Sequence, residues 1–237
     1  MKVVRICIFA LILASIAFAE EGPQEKSHYL GGRFAFGLGY VWDNEPVRGT
    51  FGSAKDGVEE RALGDSPGTG IYLGASYMYR LNHIVGLVGE AEFRMVSFAL
   101  DEDAYSIPPE EPSGDPTNFH LYVYSFAFPV MARVFPSSAY YLEAGAQFDL
   151  NMDASIMPDE DCDDSFDFDA EQFGWSLVLG AGFPLNGWQY LLGARFVMDM
   201  TRIEKDGIVE MTKGAAYREA SPMKVWSLQF SFTAYFL

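Results

Sequence analysis

The residues able to do chemistry fall into a few groups, and most are explained without a reaction. Gly64-Asp65-Ser66-Pro67-Gly68 has the Gly-x-Ser-x-Gly pattern of a nucleophile elbow. An elbow needs a strand-to-helix turn, and the residue after its serine gives an N–H to the oxyanion hole. Pro67 has no N–H to give, so the segment reads as a turn before a strand. From Asp149 to Glu160, oxygen-bearing side chains at Asp149, Asn151, Asp153 and Glu160 mimic a calcium-binding loop. Ala154 stands where such a loop needs glycine for its sharp turn, and no helical pattern flanks it. Asp159, Glu160, Asp161, Asp163 and Asp164 form a dense carboxylate run, the hard ligand set that divalent cations prefer. His28, His83 and His120 are scattered over a tail, a turn and a strand end, and no Cys/His spacing suggests zinc. The chain reads as a non-enzyme, and the one cofactor its residues suggest is calcium weakly bound at acidic loops.

The largest charged set is spread along the whole chain. It comprises Arg33, Arg80, Arg94, Arg133 and Arg195, with Glu90, Glu92, Glu143, Asp149 and Asp199. Each lies on the less apolar face of a segment that alternates at period 2. The clearest such segment is the hairpin from Phe119 to Met152. Tyr122, Tyr124, Phe126, Phe128, Val130, Ala132 and Val134 share one face; Val123, Ser125, Ala127, Pro129, Met131 and Arg133 share the other. After Pro136-Ser137-Ser138 the alternation resumes and ends at Met152. It is too long for an ordinary globular strand. It fits a strand that crosses a bilayer with lipid on one side and a lumen on the other. Similar segments run from about Leu30 to Trp42, Thr69 to Arg80, Ile84 to Leu100, Phe173 to Pro184, Trp188 to Thr201 and Lys224 to Leu237. Pro129, pointing inward, is expected to mark a bulge or local bend.

These segments predict an all-β fold: an eight-stranded, antiparallel, up-and-down transmembrane β-barrel spanning 30–237. Connections alternate long and short, as membrane barrels with short periplasmic turns and long extracellular loops require. Asn186-Gly187 is a strong hairpin signal. An eight-stranded barrel is just wide enough for side chains to fill. The ten charged residues are therefore expected to interlock as ion pairs and plug the lumen, since unpaired buried charge is costly. The rival readings are a charged constriction passing small solutes and, for the fold, a soluble lipocalin-like barrel. Trp42, Trp175, Trp188 and Trp226 all fall at strand ends and are expected to be interfacial anchors.

The chain begins MKVVRICIFALILASIAFA. Its basic start, apolar middle and Ala17-Phe18-Ala19 end read as a signal peptide, 1–19, cleaved after Ala19. Residues 20–29 read as a flexible periplasmic N-terminus. The address is the outer membrane of a Gram-negative cell. Only Cys162 remains beyond the leader, so no internal disulfide framework exists. With 16 basic against 33 acidic residues, the chain lacks the footprint for nucleic acid. Acid collects in the segments Asp101 to Asn118 and Asp153 to Gln172. They read as solvated loops or as cation-bridging surface.

Phe126-Ala-Phe-Pro129-Val-Met-Ala-Arg133, Tyr140-Tyr-Leu-Glu-Ala-Gly145, Phe173-Gly-Trp-Ser-Leu-Val-Leu-Gly-Ala-Gly182 and Gly193-Ala-Arg195-Phe196 occur in that order. In them the chain resembles the PorT-like outer-membrane β-barrel family. The resemblance implies a small outer-membrane barrel and fixes no activity. Some members serve in secretion or gliding machinery. The expected role is structural or surface-binding, with a narrow pore or a machinery subunit as alternatives. Expected partners are outer-membrane lipid, the barrel-assembly machinery, and a surface or secretion-machinery protein.

Overall fold

Period-2 alternation becomes eight long strands, each with one face toward a narrow interior. A computed structural model describes residues 27–42, 47–50, 59–61, 67–100, 119–158, 166–167, 170–185, 188–205, 208–212, 216–219 and 223–236. Eight strands build the barrel: β1 (His28–Trp42), β4 (Pro67–Arg80), β5 (Val85–Leu100), β6 (Phe119–Val134), β7 (Tyr141–Pro158), β9 (Phe173–Leu185), β10 (Tyr190–Asp199) and β13 (Lys224–Tyr235). Short strands lie between them: β2 (Val47–Thr50), β3 (Glu59–Arg61), β8 (Phe166–Asp167), β11 (Ile208–Thr212) and β12 (Ala216–Glu219). Consecutive barrel strands pair antiparallel, and β13 pairs back onto β1 from Gly31↔Tyr235 to Trp42↔Lys224. Closure leaves no open edge in the barrel wall, which lipid requires because it cannot hydrogen-bond an unpaired backbone. No helix occurs among the described residues.

The two faces separate by polarity in the way a bilayer demands. Leu73, Leu179 and Phe183 are about 60% exposed, and Phe34, Phe148 and Phe230 also point outward. An apolar surface of this extent marks a contact with another apolar phase; around a closed barrel that phase is hydrocarbon. The lumen is layered. At the turn end Tyr29, Met78, Met131, Phe135, Tyr141 and Trp188 pack together. At the loop end Tyr72, Phe98, Leu121, Ile203, Met223 and Val225 do so. Nine of the ten charged candidates lie between. Inward glycines give these side chains room. A Cβ on Gly70 would stand 2.9 Å from the Tyr72 hydroxyl, and one on Gly180 would stand 2.8 Å from Glu143.

The structure departs from the sequence expectations in several places. His28 and Tyr29 belong to β1, opposite Tyr79 and Met78, and are not part of a flexible tail. Tyr29 is buried with its ring against Tyr235, which extends the strand. Pro129 marks no bulge. The β5–β6 ladder skips Glu90 and Ala91 opposite Phe128 and Pro129, but the register on either side is unchanged. Proline removes a donor without inserting a residue. The bulge lies further along, where Tyr124 faces Asp153 but Ser125 faces Asn151. Met152 is the extra residue on β7. It resets the alternation, so Asp153 is exposed and Ala154 buried. A period-2 scan therefore loses β7 at Met152, whereas the strand runs on to Pro158.

The loops carry strands of their own. β11, β12, β2 and β3 form a second, antiparallel sheet in that order. It joins the first long connection to the last, which closure of β1 on β13 makes neighbours. The leader 1–19, the rest of the tail to residue 26, the acidic 101–118 loop and Asn186-Gly187 lie outside the described residues.

Trp188 is at the turn end, as its position implies, but it is not a lipid-facing anchor. It is 5% exposed, and its ring meets Phe135 edge-on at 4.5 Å. Its φ of 72° is rare for a bulky residue, and the inward ring is what that conformation achieves. Trp188→Ala removes the stopper from this layer. Chemical unfolding from lipid vesicles should show a loss of about 3 kcal/mol or more, as for other buried aromatics. A loss below about 1 kcal/mol would mean the ring does not close the lumen.

Candidate functional site

The charged side chains sort into two clusters and one outlier. The central cluster joins Arg33 (β1), Arg133 (β6) and Arg195 (β10) with Glu90 and Glu92 (β5) and Glu143 (β7). All six are buried. Arg195 is the hub. Its Nη2 donates to Glu90 Oε1 at 2.9 Å, its Nε donates to Glu143, and its Nη1 lies 3.8 Å from Glu92 Oε1. Arg133 donates through Nε and Nη2 to Glu143 Oε2 at 3.0 and 2.7 Å. Arg33 Nη1 donates to Glu92, and its Nη2 donates to Gln229 Oε1 at 3.2 Å.

Neutral groups hold the rim of this cluster. Ser76 Oγ donates to Glu90 Oε1 at 3.0 Å, and Arg133 Nη1 donates to Tyr235 Oη at 3.2 Å. The Arg133 guanidinium also lies 4.5 Å from the centre of the Tyr141 ring, a favourable cation–π distance. Three guanidinium groups and three carboxylates make the cluster formally neutral. That balance matters because a buried charge without its partner is strongly destabilising.

The second cluster lies nearer the loop end. Arg94 Nη1 is 3.4 Å from Asp149 Oδ1, and Arg94 Nε donates to Ser125 Oγ at 2.8 Å. Gln147 Nε2 donates to Asp149 Oδ1 at 2.8 Å. Ser176 Oγ is within reach of both Asp149 Oδ2, at 3.1 Å, and Asp199 Oδ1, at 2.7 Å. The aspartates thus lean on neutral donors as much as on the one arginine. Above them the segment 200–205 folds across the mouth. Ile203 N–H donates to the Met223 carbonyl at 2.9 Å, and Glu171 N–H donates to the Ile203 carbonyl at 2.7 Å. Ile203 and Glu204 are buried. Little in the chain announces this cover, since Thr201 to Lys205 has no periodicity and a single large apolar residue.

Arg80 stands apart from both clusters, at the turn end. Its guanidinium lies 4.5 Å from the Phe135 ring centre and 5.6 Å from that of Trp188, and its Nη2 donates to the His83 carbonyl at 2.6 Å. Inward alternation correctly turned it into the lumen but not toward the central carboxylates, because Arg80 ends its strand.

Of the expected anchors, Trp175 is exposed at the loop end of the belt. Trp226 is half-buried there, stacked on Tyr40 at 5.7 Å and beside Phe196 at 5.8 Å. Trp42 ends β1 opposite Lys224. Asp159, Glu160, Asp161, Asp163 and Asp164 lie outside the described residues. Asp149 and Asn151, two of the residues that mimic a calcium loop, are inward positions of a strand.

No protein-family model and no curated protein matches the chain. Several solved structures are similar to it along most of their length. Neisserial surface protein A is 13% identical, with 89% of this chain and 98% of that one covered and a TM-score of 0.46. Ail, the attachment invasion locus protein of Yersinia pestis, in complex with the heparin analogue sucrose octasulfate, is 17% identical, with 86% and 99% covered and a TM-score of 0.34. The translocator domain of the autotransporter NalP from Neisseria meningitidis is 13% identical, with 98% and 96% covered and a TM-score of 0.39. The barrel itself stands on its own strand pairing.

Glu143→Gln leaves Arg133 and Arg195 short of one negative charge in a buried site. Its expected cost is about 3 to 5 kcal/mol. Arg94→Ala strands Asp149 less severely, because Gln147 and Ser176 still donate to it. Its expected cost is about 1 to 3 kcal/mol. Unfolding titrations of both variants from vesicles check the order; equal costs would mean that the clusters are not distinct.

Proposed function

We propose that this chain is a non-catalytic outer-membrane barrel with a sealed lumen, and that its contacts with partners are made at the loop end. The observation that carries the reading is the neutral six-residue cluster, bonded across five strands and flanked by apolar layers on both sides. A path for solutes needs water-lined space, and here the inward side chains bond to one another. The role is structural or surface-binding. Kinship with the PorT-like family belongs to this proposal, on the residues from Phe126 to Arg133 and from Phe173 to Gly182. So does divalent-cation binding by Asp159, Glu160, Asp161, Asp163 and Asp164.

Planar-bilayer recording of the refolded protein tests the seal. The expected trace stays at the baseline of the protein-free membrane. A steady open level would replace the sealed barrel with a narrow pore. Calcium titration calorimetry tests the acidic loops separately: saturable heat is expected from the native chain and little from a variant with those five acids changed to amides. Identical titrations would remove cation binding from the proposal.

A further inference from the structure

We propose that the outer wall of the barrel seats one phospholipid in a groove on the turn half of β4, β5 and β6. The groove has a volume of about 450 Å³ and is bordered by His28, Tyr77, Tyr79, Leu87, Gly89 and Val130. Gly89 makes the notch. It sits on the lipid face between Tyr77 of β4 and Val130 of β6. A Cβ placed on it meets nothing within 4 Å. Leu87, Val130 and Tyr77 stand exposed around it. One step toward the loop end the β4–β5 pair is Ala75 and Ala91, so on that side no large side chain leans over to fill the gap.

What fills the groove follows from where it is. It is continuous with the lipid-facing belt, so its occupant comes from the bilayer. A void there would forfeit the dispersion contacts of its walls, and an acyl chain laid along Gly89 restores them. The turn end of the groove is polar. His28 Nδ1 is 2.6 Å from the Tyr77 hydroxyl, and the His28 ring centre is 5.0 Å from that of Tyr79. These groups stand where β1 begins and beside the 81–84 turn, at the membrane–water boundary where amphipathic rings are favoured. An apolar slot ending in a hydrogen-bonding rim matches a lipid with an acyl chain and a phosphate headgroup. The phosphate then accepts from His28 and the tyrosine hydroxyls. This site depends on the transmembrane fold and not on the sealed lumen, so the bilayer recording leaves it untouched.

Native mass spectrometry of the detergent-solubilised barrel with added phosphatidylethanolamine tests it, with folding of each variant checked by heat-dependent gel mobility. Wild type is expected to retain one lipid. Gly89→Leu adds a side chain into open space, so the wall itself is preserved. It should retain lipid at least about tenfold less well, since displacing about two methylenes from the groove costs that much. Leu179→Phe, on the wall formed by β9, should behave as wild type. His28→Ala should lose the preference for phosphatidylethanolamine over diacylglycerol with the same chains. The site is overturned if wild type retains no lipid, if Gly89→Leu retains as much as wild type, if Leu179→Phe loses as much as Gly89→Leu, or if His28→Ala keeps the preference.

Discussion

A backbone in hydrocarbon has nowhere to send an unpaired N–H or C=O, and the rest of this structure follows from that constraint. It forces the wall to close, which the β13–β1 pairing achieves. Eight strands close into a tube whose interior holds side chains and little else. Alternation then delivers every second residue to that interior, including nine of the ten charged candidates at the level of the two clusters and Arg80 at the turn end. Each remaining feature resolves the conflict between a narrow interior and the charges directed into it.

The central cluster resolves it by balance and by geometry. Its members come from β1, β5, β6, β7 and β10, and directly bonded members stand as much as 105 residues apart, as Glu90 and Arg195 do. They meet at one level only when every register in the wall is correct. A one-residue slip turns a side chain out of the lumen; a two-residue slip keeps it inside but moves it roughly 7 Å along the axis of its strand. Either leaves an uncompensated charge. The cluster is thus weak evidence for high stability, because buried pairs recover only part of their desolvation cost. It is stronger as a means of rejecting wrong registers, a use of buried polar groups attested elsewhere. The apolar layers lack that discrimination, since Met78, Met131 and Leu191 would tolerate neighbours of similar size.

What could be read from the sequence, and what could not, divides along the same physical line. Strand identity and the inward or outward direction of each residue depend on period 2 alone, and the chain displays it plainly from Phe34 to Phe232. The identities of partners depend on register, which no single strand contains. Alternation could place Arg133 and Glu143 in the lumen, and their hairpin could bring them opposite each other. Nothing local could pair Arg195 with Glu90. Alternation does not foretell the surroundings of Arg80 and Trp188 for a related reason. Both lie at strand ends, where the position along the axis decides between boundary, lumen and cap, and alternation is silent about it. The stretch of β7 from Asp153 to Pro158 escapes the sequence because one inserted residue breaks the periodicity by which the strand is recognised. Pro129 differs in the opposite direction: of the bulge or local bend expected there no bulge forms, because a missing donor interrupts the ladder but leaves the register whole.

The loop end follows the same logic of closure. β2 and β3 lie in the first long connection and β11 and β12 in the last, at opposite ends of the chain. They form one sheet because β1 and β13 are adjacent in the closed wall. A sequence scan treats Val47 to Thr50 and Ala216 to Glu219 as unrelated loop fragments, each too short to be stable alone. Closure brings them within pairing distance, and Tyr217 then faces Thr50. The segment 200–205 is held down in a comparable way, by Met223 on one side and Glu171 on the other. The barrel therefore does more for its loops than anchor them. By fixing which connections are neighbours, it determines which loop residues can act together, and the surface at this end is assembled from both ends of the chain.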